Sequence, residues 1–153
     1  MPRLKAKYRK LSRKKDQRRA LIKSLAVNLI LNKSIKVTKA RAKAVKPYVE
    51  KLITRAKQPT LANRRIISAR LSSRDATNEL VDNIAPQIKR QSGYLRLGRE
   101  AVVRKGDGTE LFELSFVDKI ADADELAVKK EQKREEPKSA KKASGVKVKG
   151  SKQ

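Results

Sequence analysis

Apolar residues along this chain follow two periods, and the change between them falls near residue 94. Leu21, Ile22, Leu25, Ala26, Leu29 and Ile30 recur at three- and four-residue spacing, which predicts an amphipathic helix over 16–33, with Asp16 as its N-cap or first-turn acid. In SIKVT (34–38), Ile35 and Val37 alternate with Lys36 and Thr38 as in a half-buried strand. Helical spacing resumes in KARAKAVKPYVEKLITRAK, whose apolar face is Ala40, Ala44, Val45, Val49, Leu52, Ile53 and Ala56. Thr38 is placed to cap this second helix. Pro47 should kink it, because the ring removes one backbone bond and crowds the turn before it.

After the turn QPT (58–60), Thr60 is placed to cap a short third helix containing Leu61, Ile66, Ile67 and Leu71. Ser72 and Ser73 open a fourth, with Leu80, Ile84 and Ile88 spaced by four, an interruption at Pro86 and a stop at Gly93. From Tyr94 the period becomes two. YLRLGREAVV (94–103) and ELFELSFV (110–117) flank RKGDGT, whose Asp107-Gly108 pair is a strong hairpin signal. A lone hairpin is not stable, so the strand at 34–38 should join it. The fold class implied is α+β in two layers: about four helices packed on a small mixed β-sheet made of 34–38 and the hairpin 94–118.

The two ends lack such faces. Residues 1–15 have no periodic apolar stripe and read as a basic arm that is disordered when free; residues 119–153 read as a disordered Lys/Glu/Ala-rich tail, with at most a transient helix over 121–136. The single α+β domain is then 16–118.

Charge sharpens this picture. The chain of 153 residues carries a formal +25, and its first 58 residues hold +18 of it. A small chain this basic repels itself unless a polyanion supplies counter-charge: nucleic acid, an anionic membrane surface or a very acidic protein. A membrane binder would use an amphipathic helix with exposed Trp, Phe or Leu; Trp is absent and both Phe residues fall in the 110–117 strand. No apolar run approaches the length of a membrane span. No secretory signal is legible, since the run from Ala20 is broken by Lys23, Ser24 and Asn28, and the basic start has too few Ser and apolar residues for a transit peptide.

There is no Cys and no His, which removes disulfides, thiolate zinc sites and imidazole chemistry. The Ser residues fall mostly at helix starts, where capping explains them, and GDG (106–108) is a turn rather than a phosphate-binding loop. Neither an enzyme nor a cofactor, metal or small-molecule substrate is implied. The basic constellations point instead to phosphates. Arg3, Lys5, Lys7, Arg9, Lys10, Arg13, Lys14, Lys15, Arg18 and Arg19 make the arm and its continuation, with Tyr8 available to stack on a base. Lys36, Thr38, Lys39, Arg41 and Lys43 surround the second helix start, where free backbone N–H groups also favour anions. Arg64 and Arg65 begin the third helix, and Tyr94, Arg96, Arg99 and Arg104 lie on or beside the hairpin. Isolated cations such as Arg70 and Lys89 read equally as solvated charges or as phosphate contacts. Composition alone leaves RNA and DNA unseparated.

The order of residues goes further. RKLSR (9–13), RRALIKSLA (18–26), VTKARAKAVKPYVEKLIT (37–54), ANRR (62–65), IAPQI (84–88), SGYLRL (92–97), RKGD (104–107) and ELSFVD (113–118) resemble a bacterial ribosomal protein family, the seventeenth of the large subunit. The resemblance implies a structural component of the large subunit that binds ribosomal RNA on its outer side near the tunnel exit, beside neighbouring large-subunit proteins and in the cytoplasm. It implies RNA contacts at Arg9, Lys10, Leu11, Arg13 and Arg18, a motif at Thr38, Arg41, Ala42 and Lys43, and a hairpin motif at Gly93, Tyr94, Arg96, Arg104, Gly106 and Asp107. Gln17 stands where the family commonly has His, and Ala44 where it commonly has an acid. The alternative is a nucleoid-type DNA-binding protein, which would need only phosphate contacts.

Overall fold

The computed structural model describes residues 10–120; the expectations for Arg3, Lys5, Lys7, Tyr8, Arg9 and most of the tail lie outside the described residues. Helix α1 (Lys15–Asn32) buries Ala26, Leu29 and Ile30. Asp16 sits in its first turn and complements the helix dipole, but the N-cap residue is Lys14 and no side chain caps the helix. The helix ends on Lys33, a non-glycine residue at φ +62°, and strand β1 (Ser34–Thr38) follows at once. A left-handed residue with a Cβ costs about 1–2 kcal/mol, and the Lys33 side chain offsets this by pairing with Glu79.

Helix α2 (Lys39–Ala56) starts directly from β1. Thr38 occupies the N-cap position, yet its hydroxyl makes no capping bond. Pro47 lies on the exposed side of a helix that continues to Ala56, since Val45, Val49, Leu52 and Ile53 on either side of it are fully buried. Helix α3 (Leu61–Leu71) is capped by Thr60, whose hydroxyl accepts from the Asn63 N–H at 3.3 Å. Of the Ser72–Ser73 pair, Ser72 ends α3 at φ +54°. Ser73 caps α4 (Arg74–Asn78) by accepting from the Ala76 N–H.

The fourth predicted helix is three joined pieces: α4, a π-helical turn (Glu79–Ile84) and α5 (Ala85–Gln87). The Ala85 N–H donates to the Leu80 carbonyl, five residues back, just where Pro86 removes the next donor. The widened turn keeps Leu80, Val81, Ile84, Ala85 and Ile88 buried together.

Gly93, at φ +67°, turns the chain into β2 (Leu95–Val103), which a tight connection joins to β3 (Glu110–Phe116). The strand order is β1-β3-β2, and both pairings are antiparallel. The sheet is therefore antiparallel throughout rather than mixed. The hairpin fixes β3 against β2, and β3 then inserts beside β1 running opposite to it. Val37 pairs with Phe112, Ile35 with Leu114 and Leu97 with Leu114, so these side chains share the face that the helices cover. Lys36, Glu113 and Arg96 belong to the other face by the same alternation. The hairpin closes from the Arg104 N–H to the Thr109 carbonyl, with Gly108 at φ +61°. The core is aliphatic, with Leu29, Ile30, Leu52, Ile53, Ile67, Leu80, Ile84 and Leu114 its largest fully buried side chains.

Candidate nucleic-acid interface

Three places gather the predicted cations. The first is the approach to α1, where Lys10, Arg13, Lys14, Lys15 and Arg19 are exposed and Arg18 is half-buried. Asp16 is the nearby acid, 3.9 Å from Arg19, with both side chains largely in solvent. Leu11 and Ser12 both hold left-handed backbone, and the Arg13 N–H donates back to the Lys10 carbonyl, so the chain enters α1 through a turn.

The second is the β1–α2 junction. Lys43 is exposed and Arg41 half-buried, each without a carboxylate partner among the described residues. Lys39 lies over the Phe112 ring at 5.4 Å from its centroid, a cation–π contact that leaves the ammonium in water. Lys36 pairs with Glu100, and that hydrogen bond and charge raise its pKa. Thr38 is half-buried between them.

The third is the hairpin. Arg96 is exposed on the outer sheet face without an acidic partner among the described residues. Arg99 pairs with Glu110, and Arg104 grips Asp107 through both Nε, at 2.9 Å, and Nη2. The Arg104 hydrogen bonds, joined by the Thr109 N–H, hold the Asp107 carboxyl well below the usual carboxylate range. On α3, Arg64 pairs with Asp82, while Arg65 is exposed and has no ion-pair partner among the described residues. Exposed ion pairs contribute about 0–1 kcal/mol, so a phosphate can displace these acids at small cost.

Tyr94 belongs to the core instead. It is 3% exposed, donates its hydroxyl hydrogen to the Gln91 carbonyl, and carries Lys57 over its ring at 4.8 Å. It supports the start of β2 and has no face left for a base.

One basic constellation escaped the sequence reading. Arg19, Lys23 and Arg70 line a groove between α1, α2 and α3 together with Ile22, Tyr48 and Ala69. Lys23 was legible as one turn beyond Arg19, but only the packing of α3 brings Arg70 beside them. Among the described residues no group of His, Cys, Asp and Glu is placed to hold a metal, and no helix is long and apolar enough to cross a membrane.

The described residues form an α+β domain that presents exposed cations at its helix and strand starts. The family comparisons go further. The family model for ribosomal protein L17 matches residues 21–117. A relative from Natranaerobius thermophilus, named large ribosomal subunit protein bL17, is 41% identical over 112 residues, covering 72% of this chain and 98% of its own. The protein of that name from Wolinella succinogenes is 43% identical over 105 residues (68% and 90%), and that from a Sulfurihydrogenibium species 40% over 113 residues (73% and 93%). The chain belongs to the ribosomal protein L17 family, whose members are structural ribosomal proteins rather than enzymes.

Proposed function

We propose that this protein is built into the large ribosomal subunit in the bacterial cytoplasm. There it binds ribosomal RNA through phosphate contacts of the 1–15 arm and the neighbouring starts of α1, α2, α3 and the hairpin, and supports subunit assembly. Family membership supports the ribosomal setting. The observation that carries the contact surface is the exposed charge of Lys10, Arg13, Lys14 and Lys15, beside which Asp16 is the one first-turn acid and none of which has an ion-pair partner among the described residues. The RNA supplies the counter-charge that the arm lacks and thereby completes it. If 6–10 phosphates are neutralised, affinity falls about 10³–10⁵-fold between 50 and 200 mM salt. The DNA-packaging alternative draws no support from the relatives.

Gradient fractionation of cell extract tests the proposal. The protein should run with large subunits at near one copy each, and replacing Arg9, Lys10 and Arg13 by Glu should release it while leaving the circular dichroism of the free protein unchanged. Full occupancy after that triple reversal refutes the placement of the contact surface.

A further inference from the structure

The α1–α2–α3 groove has a chemistry that phosphate contacts alone do not require. It encloses about 460 Å³, within the ~300–1,000 Å³ range of small-ligand pockets. Its lining pairs an apolar and aromatic part (Ile22, Ala69, Tyr48) with three cations (Arg19, Lys23, Arg70). The Tyr48 hydroxyl donates to the Arg70 carbonyl at 2.9 Å, which ties α2 to the end of α3 and fixes the ring. Burial pushes the Tyr48 phenol up, and the Arg70 guanidinium is near enough to oppose that push. Lys23 donates to the Ser72 hydroxyl at 2.8 Å, a neutral partner that leaves its charge uncompensated. Among the described residues, Asp16, exposed and 3.9 Å from Arg19, is the only carboxylate paired with any of the three. Arg19 and Lys23 also continue, one helical turn apart, the row of cations that begins with the arm.

Resting on the RNA reading above, we propose that this groove takes one unstacked nucleotide of an RNA bulge or single-stranded loop. The base lies against Tyr48 and Ile22, and the flanking phosphates meet Lys23 and Arg70. A paired stem offers phosphates but no base to fill the hollow, and an acidic peptide offers charge but no flat ring for the tyrosine. A base with its phosphate matches both halves of the lining. The groove therefore adds a preference for RNA shape to an arm that reads charge alone.

The test uses the full-length protein and two RNA hairpins sharing one stem, one perfectly paired and one with a single-uridine bulge, compared by fluorescence anisotropy at about 150 mM salt, where surface charges are screened beyond ~8 Å. The bulged hairpin should bind about tenfold tighter, the scale of one base stacked on one aromatic side chain. Lys23→Gln with Arg70→Gln should abolish that preference and keep binding to the paired stem. Tyr48→Leu should do the same; should it fail to fold, 4-thiouridine at the bulge should still crosslink the wild-type protein on the peptide carrying Tyr48. Equal affinity of the wild type for both hairpins overturns the inference while leaving RNA binding intact. Crosslinks confined to other peptides, or displacement of the bulged hairpin by poly-glutamate as readily as by single-stranded RNA, overturn it too. Absence of binding to either hairpin overturns the RNA reading itself, and this inference with it.

Discussion

Glu79 is the residue whose removal should be felt furthest from its own position. It sits at the start of the π-helical turn, pairs with Lys33 at the end of α1, and accepts a hydrogen bond from the Asn83 amide at 2.6 Å. Burial pushes its carboxyl up, but the hydrogen bonds from Lys33 and Asn83 and the Lys33 charge outweigh that, holding it below its ordinary value. Removing one partner of a fully buried pair costs about 3–5 kcal/mol. Here 20% of the Lys33 side chain and 17% of the Glu79 side chain remain exposed, which lowers the expected cost of Glu79→Ala to about 2–3 kcal/mol. For a folded unit of this size that corresponds to a Tm drop of roughly 8–12 °C. Urea denaturation followed at 222 nm measures it, in a cycle with Lys33→Ala and the double variant. Alanine is the right replacement at position 33, because glycine would also relieve the left-handed backbone there and blur the comparison. The pH dependence has a definite sign. Since the carboxyl ionises more easily folded than unfolded, its contribution is present above the unfolded Glu value of about 4.3 and is lost as pH falls through the lower folded value. The gap between wild type and Glu79→Ala should therefore close in acid. A loss under about 0.5 kcal/mol at pH 7, or a gap unchanged from pH 7 to pH 3, would refute the reasoning.

Two threonines at helix starts should behave differently. Thr60→Ala removes a formed cap and should cost about 1 kcal/mol, whereas Thr38→Ala removes no capping bond and should stay within about 0.5 kcal/mol, both by chemical denaturation. Leu114→Ala opens a cavity at a fully buried position where β3 faces the helices; it should cost about 2–5 kcal/mol, and a thermal melt matching wild type would contradict the core described above.

The local elements were legible because each has its own apolar rhythm. The predicted bounds of α1, β1, α2 and both hairpin strands lie within a residue or two of those observed, and Thr60 caps α3 as its position suggests. What needed the third dimension was everything that joins distant residues. Periodicity gives no relative direction for β1 and β3, so the antiparallel sheet could not be told from a mixed one. The π turn before Pro86 has no signature of its own beyond the proline. Tyr94 falls in the hairpin motif, but it precedes the first residue of β2, and the turn at Gly93 swings it inward. Lys36, Arg64 and Arg99 look like bare cations in sequence because their partners Glu100, Asp82 and Glu110 come from other elements or the far side of the hairpin. Arg70 looks isolated in sequence for the same reason: its companions Arg19 and Lys23 belong to α1.

The middle strand of the sheet is the last of its three strands to leave the ribosome that synthesises this chain. When β1 and β2 have already emerged, neither has a neighbour to pair with, because Ser34 awaits Ser115 and Leu95 awaits Phe116. A nascent intermediate that extends past Val103 but stops short of Glu110 thus carries two strands without their shared partner and a helical layer with no floor. Vectorial synthesis can prepare this fold but cannot finish it, and closure must come as one late, long-range event.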